Sequence, residues 1–284
     1  MRRLGIAFAL ALAATGAYAH DHGHFSRMED CDGRHIQFDG EPSFTESQTI
    51  EAGSLRSLKA SVEHAPLSVE GGNASGYTIV VCKAAAVQSD LSAIRVSLED
   101  GELRATGPSG QGDRWQVSYH IRAPRNANLD LETENGPVSI RDVDGTVVAR
   151  AANGPLALQN LRGTIEATTT NGPISISGGG GTMRVRATNG PLSVHLSGNA
   201  WEGGSLDAST KNGPLTVKLP RNYGSGVVVE TSGHSPIQCR AAGCGRVRSM
   251  GDDDYDEPRT IELGSGPAMV RISTTNGPVT IMDE

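Results

Sequence analysis

Apolar and polar residues alternate along most of the chain, in short runs separated by the tripeptide Asn-Gly-Pro. Pairs such as Val138 and Ile140 follow the proline, and runs such as Val147, Ala149 and Ala151 come later in the same unit. A period of two residues predicts strands that bury one face. Each unit therefore contributes two short strands, and the recurring Gly and Pro disfavour helices between them. This pattern excludes a doubly wound α/β fold.

The tripeptide recurs six times at a nearly constant interval. The first three intervals are 18 residues long and the fourth is 23 residues long. A fixed period of this size indicates a repeat architecture. Two degenerate copies, HAPLSV at His64 and HSPIQC at His234, extend the series. The complete copies begin at Asn135, Asn153, Asn171, Asn189, Asn212 and Asn276.

Stacking such units as coils lets equivalent strands form parallel ladders around one continuous core. The sequence therefore predicts an all-β fold: a single-chain parallel β-solenoid (β-helix) of about 18–23-residue coils with Asn-Gly-Pro corners, capped at both ends. We expect a signal peptide in residues 1–19 and a His-rich tail and cap in 20–50. The first coils or a cap follow in 51–130, and the repeats fill 131–284 with an insertion at about 239–258.

We interpret Asn-Gly-Pro as a structural corner, one in each coil. Asn tolerates a left-handed backbone, and its amide can hydrogen-bond neighbouring backbone or the same Asn one coil away. Gly accepts angles that a side chain forbids, and Pro directs the chain into the next strand. An alternative stays open, in which an exposed row of Asn side chains binds a sugar. The residues assigned to corners are Asn135, Gly136, Asn153, Gly154, Asn171, Gly172, Asn189, Gly190, Asn212, Gly213, Asn276 and Gly277.

The chain begins with MRRLGIAFALALAATGAYA, in which two arginines precede an apolar run that ends in Ala17-Tyr18-Ala19. This arrangement is typical of a signal peptide, and the mature chain is expected to begin at His20. We predict an exported protein, either periplasmic, on the cell surface or secreted, with no membrane span after signal cleavage. A net charge of −7 argues against nucleic acid as a partner.

Four cysteines in an exported chain predict two disulfides with three possible pairings. Cys239 and Cys244 are the easiest local pair, which leaves Cys31 and Cys82 as the distant pair. Metal ligation by these thiols is the weaker interpretation, because the exported compartment is oxidising.

The segment "IRAPRNANLDLETENGPVSIRDVDGTVVARAANGPLALQNLRGTIEATTTNGPISI" and the closing "VRISTTNGPVTI" resemble the bacterial putative-adhesin family of unknown function. Its members carry a signal peptide and tandem Asn-Gly strands. The resemblance covers about residues 51 to 284. It implies an exported β-solenoid with an adhesin-like role, and it carries over no catalytic residues.

The predicted mature N-terminus reads His20-Asp21-His22-Gly23-His24. A free α-amine, two backbone amides and the His22 imidazole can form a square-planar nitrogen set, which suits Cu(II) or Ni(II), with His20 and His24 assisting. The alternative is a disordered polar tail that is rich in histidine. We predict no other cofactor.

Other candidate sites are weaker. The acidic run from Asp252 to Glu257 lacks the spacing of a calcium loop, and Gly178 to Gly181 is interpreted as a flexible corner and not a phosphate loop. The chain contains neither a Gly-x-Ser-x-Gly nor a His-Glu-x-x-His motif. Outward positions after the prolines are small and hydroxylated, and a glycan-cleaving site would need clustered carboxylates.

Three functions are compatible with these observations. The first is a non-catalytic, adhesin-like protein of the cell envelope or surface, not an enzyme, whose partner is an unknown envelope, glycan or protein surface. The second is an envelope metal-binding protein that uses the N-terminal histidines. A glycan-processing β-helix enzyme is the least favoured.

Overall fold

The computed structural model describes residues 31, 36–108, 114–232, 235–244, 247–249 and 259–284. The described residues form a two-stranded hairpin, a 12-stranded sheet (the first sheet) and an 11-stranded sheet (the second sheet). They contain one short helix, α1 (Gln88–Leu91). The first nine strands are β1 (Gln37–Phe38), β2 (Glu41–Pro42), β3 (Phe44–Ala52), β4 (Leu58–Val62), β5 (Leu67–Gly72), β6 (Tyr77–Ala85), β7 (Arg95–Glu99), β8 (Glu102–Thr106) and β9 (Trp115–Pro124).

The central part of the chain alternates between the two sheets. A strand of the first sheet is followed at once by a strand of the second sheet, and such a couple is called a strand pair below. The central strands are β10 (Leu129–Asn135), β11 (Val138–Arg141), β12 (Thr146–Asn153), β13 (Leu156–Gln159), β14 (Thr164–Asn171), β15 (Ile174–Ser177), β16 (Thr182–Asn189), β17 (Leu192–His195), β18 (Leu206–Asn212) and β19 (Leu215–Leu219).

Successive strand pairs associate in parallel and in the register of the sequence repeat. Asn135 pairs with Asn153, and Asn153 pairs with Asn171, in the first sheet. In the second sheet Val138 pairs with Leu156. Alternate side chains from both sheets point inward and are almost completely buried. The prediction of an all-β fold with long parallel sheets is confirmed, and the arrangement is β-helix-like.

The N-terminal end differs from the centre in strand direction. The pair β4–β5 joins the parallel series by associating with β10 and β11. Beyond it, β9, β6 and β3 extend the second sheet, and β6 is antiparallel to both of its neighbours. Strand β8 is parallel to β4 and strand β9 is parallel to β5, whereas β7 is antiparallel to β8 at the edge of the first sheet. The parallel series therefore ends in antiparallel strands at this end of the molecule.

The C-terminal strand pairs do not stack in chain order. The remaining strands are β20 (Gly226–Thr231), β21 (Ile237–Cys239), β22 (Val247–Ser249), β23 (Arg259–Leu263), β24 (Ala268–Asn276) and β25 (Val279–Asp283). The last pair, β24–β25, lies between β18–β19 and β20–β21 and is parallel to both. Strand β23 is antiparallel to β20 on the outer side.

This order differs from the simplest expectation for a repeat series. Winding in chain order would place the copy that begins at His234 directly after the copy at Asn212. The structure places the strands around Asn276 there instead. The segment interpreted as an insertion contains β22, and β23 follows it directly.

Both predicted disulfides are confirmed. Cys31 is bonded to Cys82 on β6, and Cys239 at the end of β21 is bonded to Cys244. The bonds therefore tie down the two ends of the strand series and leave its centre without a cross-link. Structural disulfides are typical of proteins that leave the cytoplasm.

Some predictions concern residues that the structure does not describe. The signal peptide in 1–19, the histidines His20, His22 and His24, and the acidic run from Asp252 to Glu257 all lie outside the described residues. Within the part of the chain that is described, there is no helix with the length and apolar character that crossing a membrane requires.

Candidate functional site: an asparagine ladder along one corner

The six Asn residues of the tripeptide form a continuous hydrogen-bonded ladder. Each one is the last residue of its strand in the first sheet, and its side chain is exposed. In each of five links, the Nδ2 of one Asn donates to the Oδ1 of the Asn in the adjacent strand pair. The N–O distances are 3.0 Å for Asn153 to Asn135, 2.9 Å for Asn171 to Asn153, Asn189 to Asn171 and Asn212 to Asn189, and 2.8 Å for Asn276 to Asn212.

The ladder ends at a histidine on the N-terminal side. Asn135 Nδ2 lies 3.1 Å from His64 Nδ1, within hydrogen-bonding distance. His64 belongs to the degenerate copy HAPLSV, and it follows β4 as each Asn ends its own strand. Seven residues from seven copies therefore line one corner of the molecule.

The glycine of the tripeptide is required by close approach of the backbone. A Cβ on Gly172 would lie 2.1 Å from the carbonyl oxygen of Gly154, and a Cβ on Gly277 would lie 2.0 Å from that of Gly213. The corners are also joined through the backbone, since the Gly172 N–H donates to the Asn189 carbonyl oxygen at 2.9 Å. Neighbouring corners can approach this closely only without a side chain at the glycine position.

The backbone angles correct part of the reasoning from sequence. The described non-glycine residues with positive φ are Asp39, Asp100, Asp142 and Asn160, and none of these belongs to the tripeptide. A left-handed backbone is therefore not the reason for Asn in these corners. The ladder between neighbouring pairs is the contact that Asn makes.

Buried threonines add a second set of contacts to the same corner. Thr169, Thr210 and Thr274 point inward two residues before the Asn and are 2–3% exposed. Their hydroxyls donate to the carbonyl oxygens of Gly154, Gly190 and Gly213 at 3.3, 2.8 and 3.0 Å. The corner is therefore fixed from the inside by hydroxyl groups and from the outside by amides.

The ladder leaves hydrogen-bonding capacity toward solvent. A primary amide has two N–H donors and two acceptor lone pairs, and the ladder uses one of each. The prolines that follow the glycines are also exposed. The corner thus presents a regular row of donors and acceptors beside a row of apolar rings. Amides do not titrate in the physiological range, so this row is suited to binding and not to proton transfer.

The corner at which each strand of the second sheet leads to the next strand of the first sheet (the opposite corner) has its own repeat, which the tripeptide does not predict. Asp142, Asn160 and Gly178 have φ values of 56°, 57° and 63° and follow one another at 18-residue intervals. The Nδ2 of Asn160 donates to Oδ1 of Asp142 at 3.0 Å. The signal was the dipeptide Gly-Thr at 145, 163 and 181.

The glycine run in this corner is tightly packed, contrary to its interpretation as a flexible corner. A Cβ on Gly179 would lie 2.5 Å from the Leu161 carbonyl oxygen. The indole Nε1 of Trp201 donates to the Gly181 carbonyl oxygen at 2.8 Å, and Trp201 is 5% exposed. The glycines therefore allow the backbone to pack under a buried aromatic ring.

The outer faces of the two sheets differ in charge. The first sheet carries alternating charges, with Arg150 Nη1 2.8 Å from Asp130 Oδ1 and with Arg184 and Arg186 both near Asp207. The second sheet carries a column of small side chains next to the prolines. That column contains Ser139, Ala157, Ser175, Ser193, Thr216 and Thr280.

The described residues offer no cluster of metal ligands. Within them, no group of three or more His, Cys, Asp or Glu side chains is placed to hold a metal ion. The histidines proposed for Cu(II) or Ni(II) are outside this part of the chain.

No protein-family model and no curated protein matches the chain. Several solved structures have a detectable similarity to it. Three of them are those of a putative cell adhesion protein from Clostridium sporogenes (12% identity, TM-score 0.29, 85% of this chain and 100% of that chain), a putative adhesin from Bacteroides fragilis (11%, 0.31, 85% and 97%) and a putative lipid binding protein from Parabacteroides distasonis (12%, 0.34, 84% and 96%). Likeness at these TM-scores supports no conclusion about this chain.

Proposed function

We propose that the protein is an exported, non-catalytic β-solenoid that acts at the cell envelope or surface as an adhesin-like interaction protein. In this proposal the Asn-Gly-Pro corners connect the coils of one continuous solenoid, which is capped by antiparallel strands at its N-terminal end. The partner contacts the asparagine corner and the sheet faces beside it. The two disulfides are in keeping with an exported location.

The observation that carries this proposal is the continuity of the asparagine ladder. Five Asn–Asn hydrogen bonds of 2.8–3.0 Å hold six exposed amides in one row. The strands that carry these Asn residues are paired in register, and the amides are bonded to one another. Little conformational entropy is therefore lost when a partner binds to the row. Groups that pair with amides, such as hydroxyl and peptide groups, suit this surface.

Labelling of intact cells tests the location. An impermeant biotin reagent is added to native cells, with a cytosolic protein as the negative control. We expect the protein to be labelled without opening the envelope. Protection until the envelope is opened would remove the surface role and leave a periplasmic scaffold.

Binding of cells or extracted envelope to the immobilised protein tests the surface used. Thr170 is exposed beside the ladder residue Asn171, and Thr164 is exposed at the other end of the same strand. Thr170→Arg adds bulk beside the ladder without removing an Asn, and we expect it to weaken binding. Thr164→Arg is the matched control and should bind like the wild type. Equal binding by both variants would show that the asparagine corner is not the contact surface.

A further inference from the structure

A cavity of about 510 Å³ lies at the N-terminal end of the asparagine ladder. It forms where two strands of the first sheet diverge. Strands β4 and β8 are paired at Lys59 with Glu102 and at Ala60 with Leu103, and their described pairing stops there. The residues that follow on each strand line the opening. Its volume falls within the range of about 300–1,000 Å³ that is usual for small-ligand sites.

The floor of the cavity is apolar and continuous with the core. Val62, Leu103 and Val117 line it and are 3–7% exposed. Trp115 forms part of the wall and is partly exposed. A Cβ on Gly107 would lie 2.3 Å from the Trp115 ring, so the Gly107 backbone packs directly against the indole. This contact holds the aromatic ring in a fixed position.

The rim of the cavity is polar and close to neutral overall. Glu63, His64 and Gln116 line it together with Arg104. Arg104 Nη2 is 2.9 Å from Glu102 Oε2, and Lys59 Nζ is 3.0 Å from the other oxygen of the same carboxylate. The charges of Lys59 and Arg104 are balanced by those of Glu102 and Glu63. The rim therefore offers planar hydrogen-bonding groups without an excess of positive charge, which disfavours anionic ligands.

The cavity and the ladder form one surface. His64 lines the cavity and is also the residue that contacts Asn135 at the end of the ladder. A ligand held in the cavity can therefore continue along the corner, where the amides repeat once per strand pair. This continuity favours a linear chain with repeated hydrogen-bonding groups over a single compact molecule.

A neutral saccharide matches this combination of groups. A sugar ring has an apolar C–H face, which packs against aromatic side chains, and a rim of hydroxyls that both donate and accept hydrogen bonds. We propose that the cavity binds the end unit of a neutral glycan chain, whose following units lie along the asparagine ladder. This inference names a ligand class for the proposed interaction function and rests on it.

Titration of neutral oligosaccharides into the purified mature protein, residues 20–284, tests the inference. The probes are neutral oligomers of hexose and of N-acetylhexosamine, with uronic acid oligomers as the charged comparison, and the readout is calorimetry. The chain has two tryptophans, Trp115 in the cavity wall and Trp201 buried in the opposite corner. Trp201→Phe leaves Trp115 as the reporter, and we expect saturable change in its fluorescence with a neutral oligomer.

Variants locate the site. Gln116→Ala removes a rim group, and Ala105→Phe fills part of the cavity. Each should weaken binding of the neutral oligomer by about fivefold or more, and Trp115→Ala by about tenfold or more, in the range seen for central interface residues. Gln159→Ala, at an exposed position on β13, is the matched control and should bind normally. Melting temperatures of all variants identify any that fail to fold, and Gln116→Ala and Ala105→Phe keep the test valid if Trp115→Ala is one of them.

The outcomes separate this inference from the proposed function. Surface labelling without binding of any neutral oligomer would overturn the glycan site and leave the surface role intact. Binding that requires Trp115 and Gln116 in a protein that is not surface-exposed would retain the glycan site and remove the surface role. Binding of uronic acid oligomers alone, or neutral binding that none of the cavity variants weakens, would overturn the inference.

Discussion

The central strand pairs and the C-terminal strand pair use the same tripeptide but reach their neighbours differently. From β12 to β19, each pair stacks on the pair that precedes it in the chain. The pair β24–β25 instead stacks on β18–β19 and separates it from β20–β21. Asn276 still continues the ladder, because it donates to Asn212, 64 residues earlier, at 2.8 Å. At this end of the molecule, the strand pairs that lie next to each other are those with matching corners, and they are not consecutive in the chain.

Interior and terminal corners differ in the residue before the proline. Every interior corner has a neighbour on both sides and carries Asn-Gly-Pro. The pair β20–β21 carries Ser235 before its proline, and the pair β4–β5 carries Ala65. These two pairs lie at the two ends of the tripeptide series, so each is next to only one Asn-Gly-Pro corner, and β4 and β5 continue in parallel to β8 and β9. A Cβ at an interior corner would meet a carbonyl oxygen at about 2 Å, as it would at Gly277.

The largest expected effect comes from removing residues 264–284. Four inward apolar side chains of β24 and β25 are 0–1% exposed, and burial of each contributes roughly 1.5–3 kcal/mol. Their sum of about 6–12 kcal/mol is comparable with the net stability of a domain, about 5–15 kcal/mol. We expect the truncated protein to aggregate or to unfold at a much lower temperature. Removal of Glu284 alone is the control, and an unchanged melting curve after the longer deletion would contradict the central position of β24–β25. The four side chains are Val270, Ile272, Val279 and Ile281.

Glycine substitutions compare the two regions directly. Gly172→Ala in the centre and Gly277→Ala in the last pair should each destabilise the protein by about 1–3 kcal/mol or more, because the added methyl meets backbone. Gly72→Ala is the control, since nothing lies within 4 Å of its Cβ position. The measurement is the midpoint of urea unfolding. A mild effect of Gly277→Ala beside a severe effect of Gly172→Ala would favour stacking in chain order.

A double-mutant cycle between Asn212 and Asn276 tests the ladder across the change in order. Each single change to Ala removes side-chain hydrogen bonds worth about 0.5–1.5 kcal/mol apiece. Because the two side chains are bonded to each other, we expect a coupling energy of at least about 0.5 kcal/mol. Asn135 and Asn276 belong to the same ladder without touching, so their cycle should give no coupling. Coupling that is equal in both cycles would argue against a direct contact between Asn212 and Asn276.

The smallest effect concerns the N-terminal end, where the core differs from the aliphatic centre. Tyr119 on β9 is fully buried, and its hydroxyl has no hydrogen-bond partner among the described residues. Burial raises the pKa of Tyr119 to about 12, above the value of about 10 for an exposed tyrosine. The unfolded chain ionises first, so the contribution of Tyr119 to stability is constant below about pH 10 and falls between about pH 10 and pH 12.

Tyr119→Phe removes both effects. We expect equal or higher stability at pH 7, by up to about 1 kcal/mol, because an unsatisfied buried hydroxyl is lost. The fall in melting temperature above pH 10 should become smaller in this variant. Part of the fall should remain, because burial also raises the pKa of Tyr223 to about 12. A destabilised variant at pH 7 would indicate that the hydroxyl has a partner.

Much of the architecture was predictable from local pattern. The period-two alternation placed the central strands, as in β12, where Val147, Ala149 and Ala151 point inward. The spacing of the cysteines favoured the pairing that the structure contains. Both features depend on interactions that are local or repeated, so they are visible in a single sequence.

Other features were not predictable because they depend on distant parts of the chain. The divergence of β4 from β8 creates the cavity, and the residues that line it come from three separate strands. The corner formed by Asp142 and Asn160 carries a weaker signal, since its positions vary among Asp, Asn and Gly. The apolar pattern of β20 is as compatible with a position next to β18 as with its position next to β24.

The sequence by itself determined the strands, their inward faces and the chemistry of the corner, because alternation and the tripeptide specify these within each unit. Only the tertiary structure decided which units became neighbours, how the series ends, and where a cavity opens beside the ladder. The physical reason is that hydrogen bonds within a parallel sheet depend on the register of two strands and not on their distance along the chain.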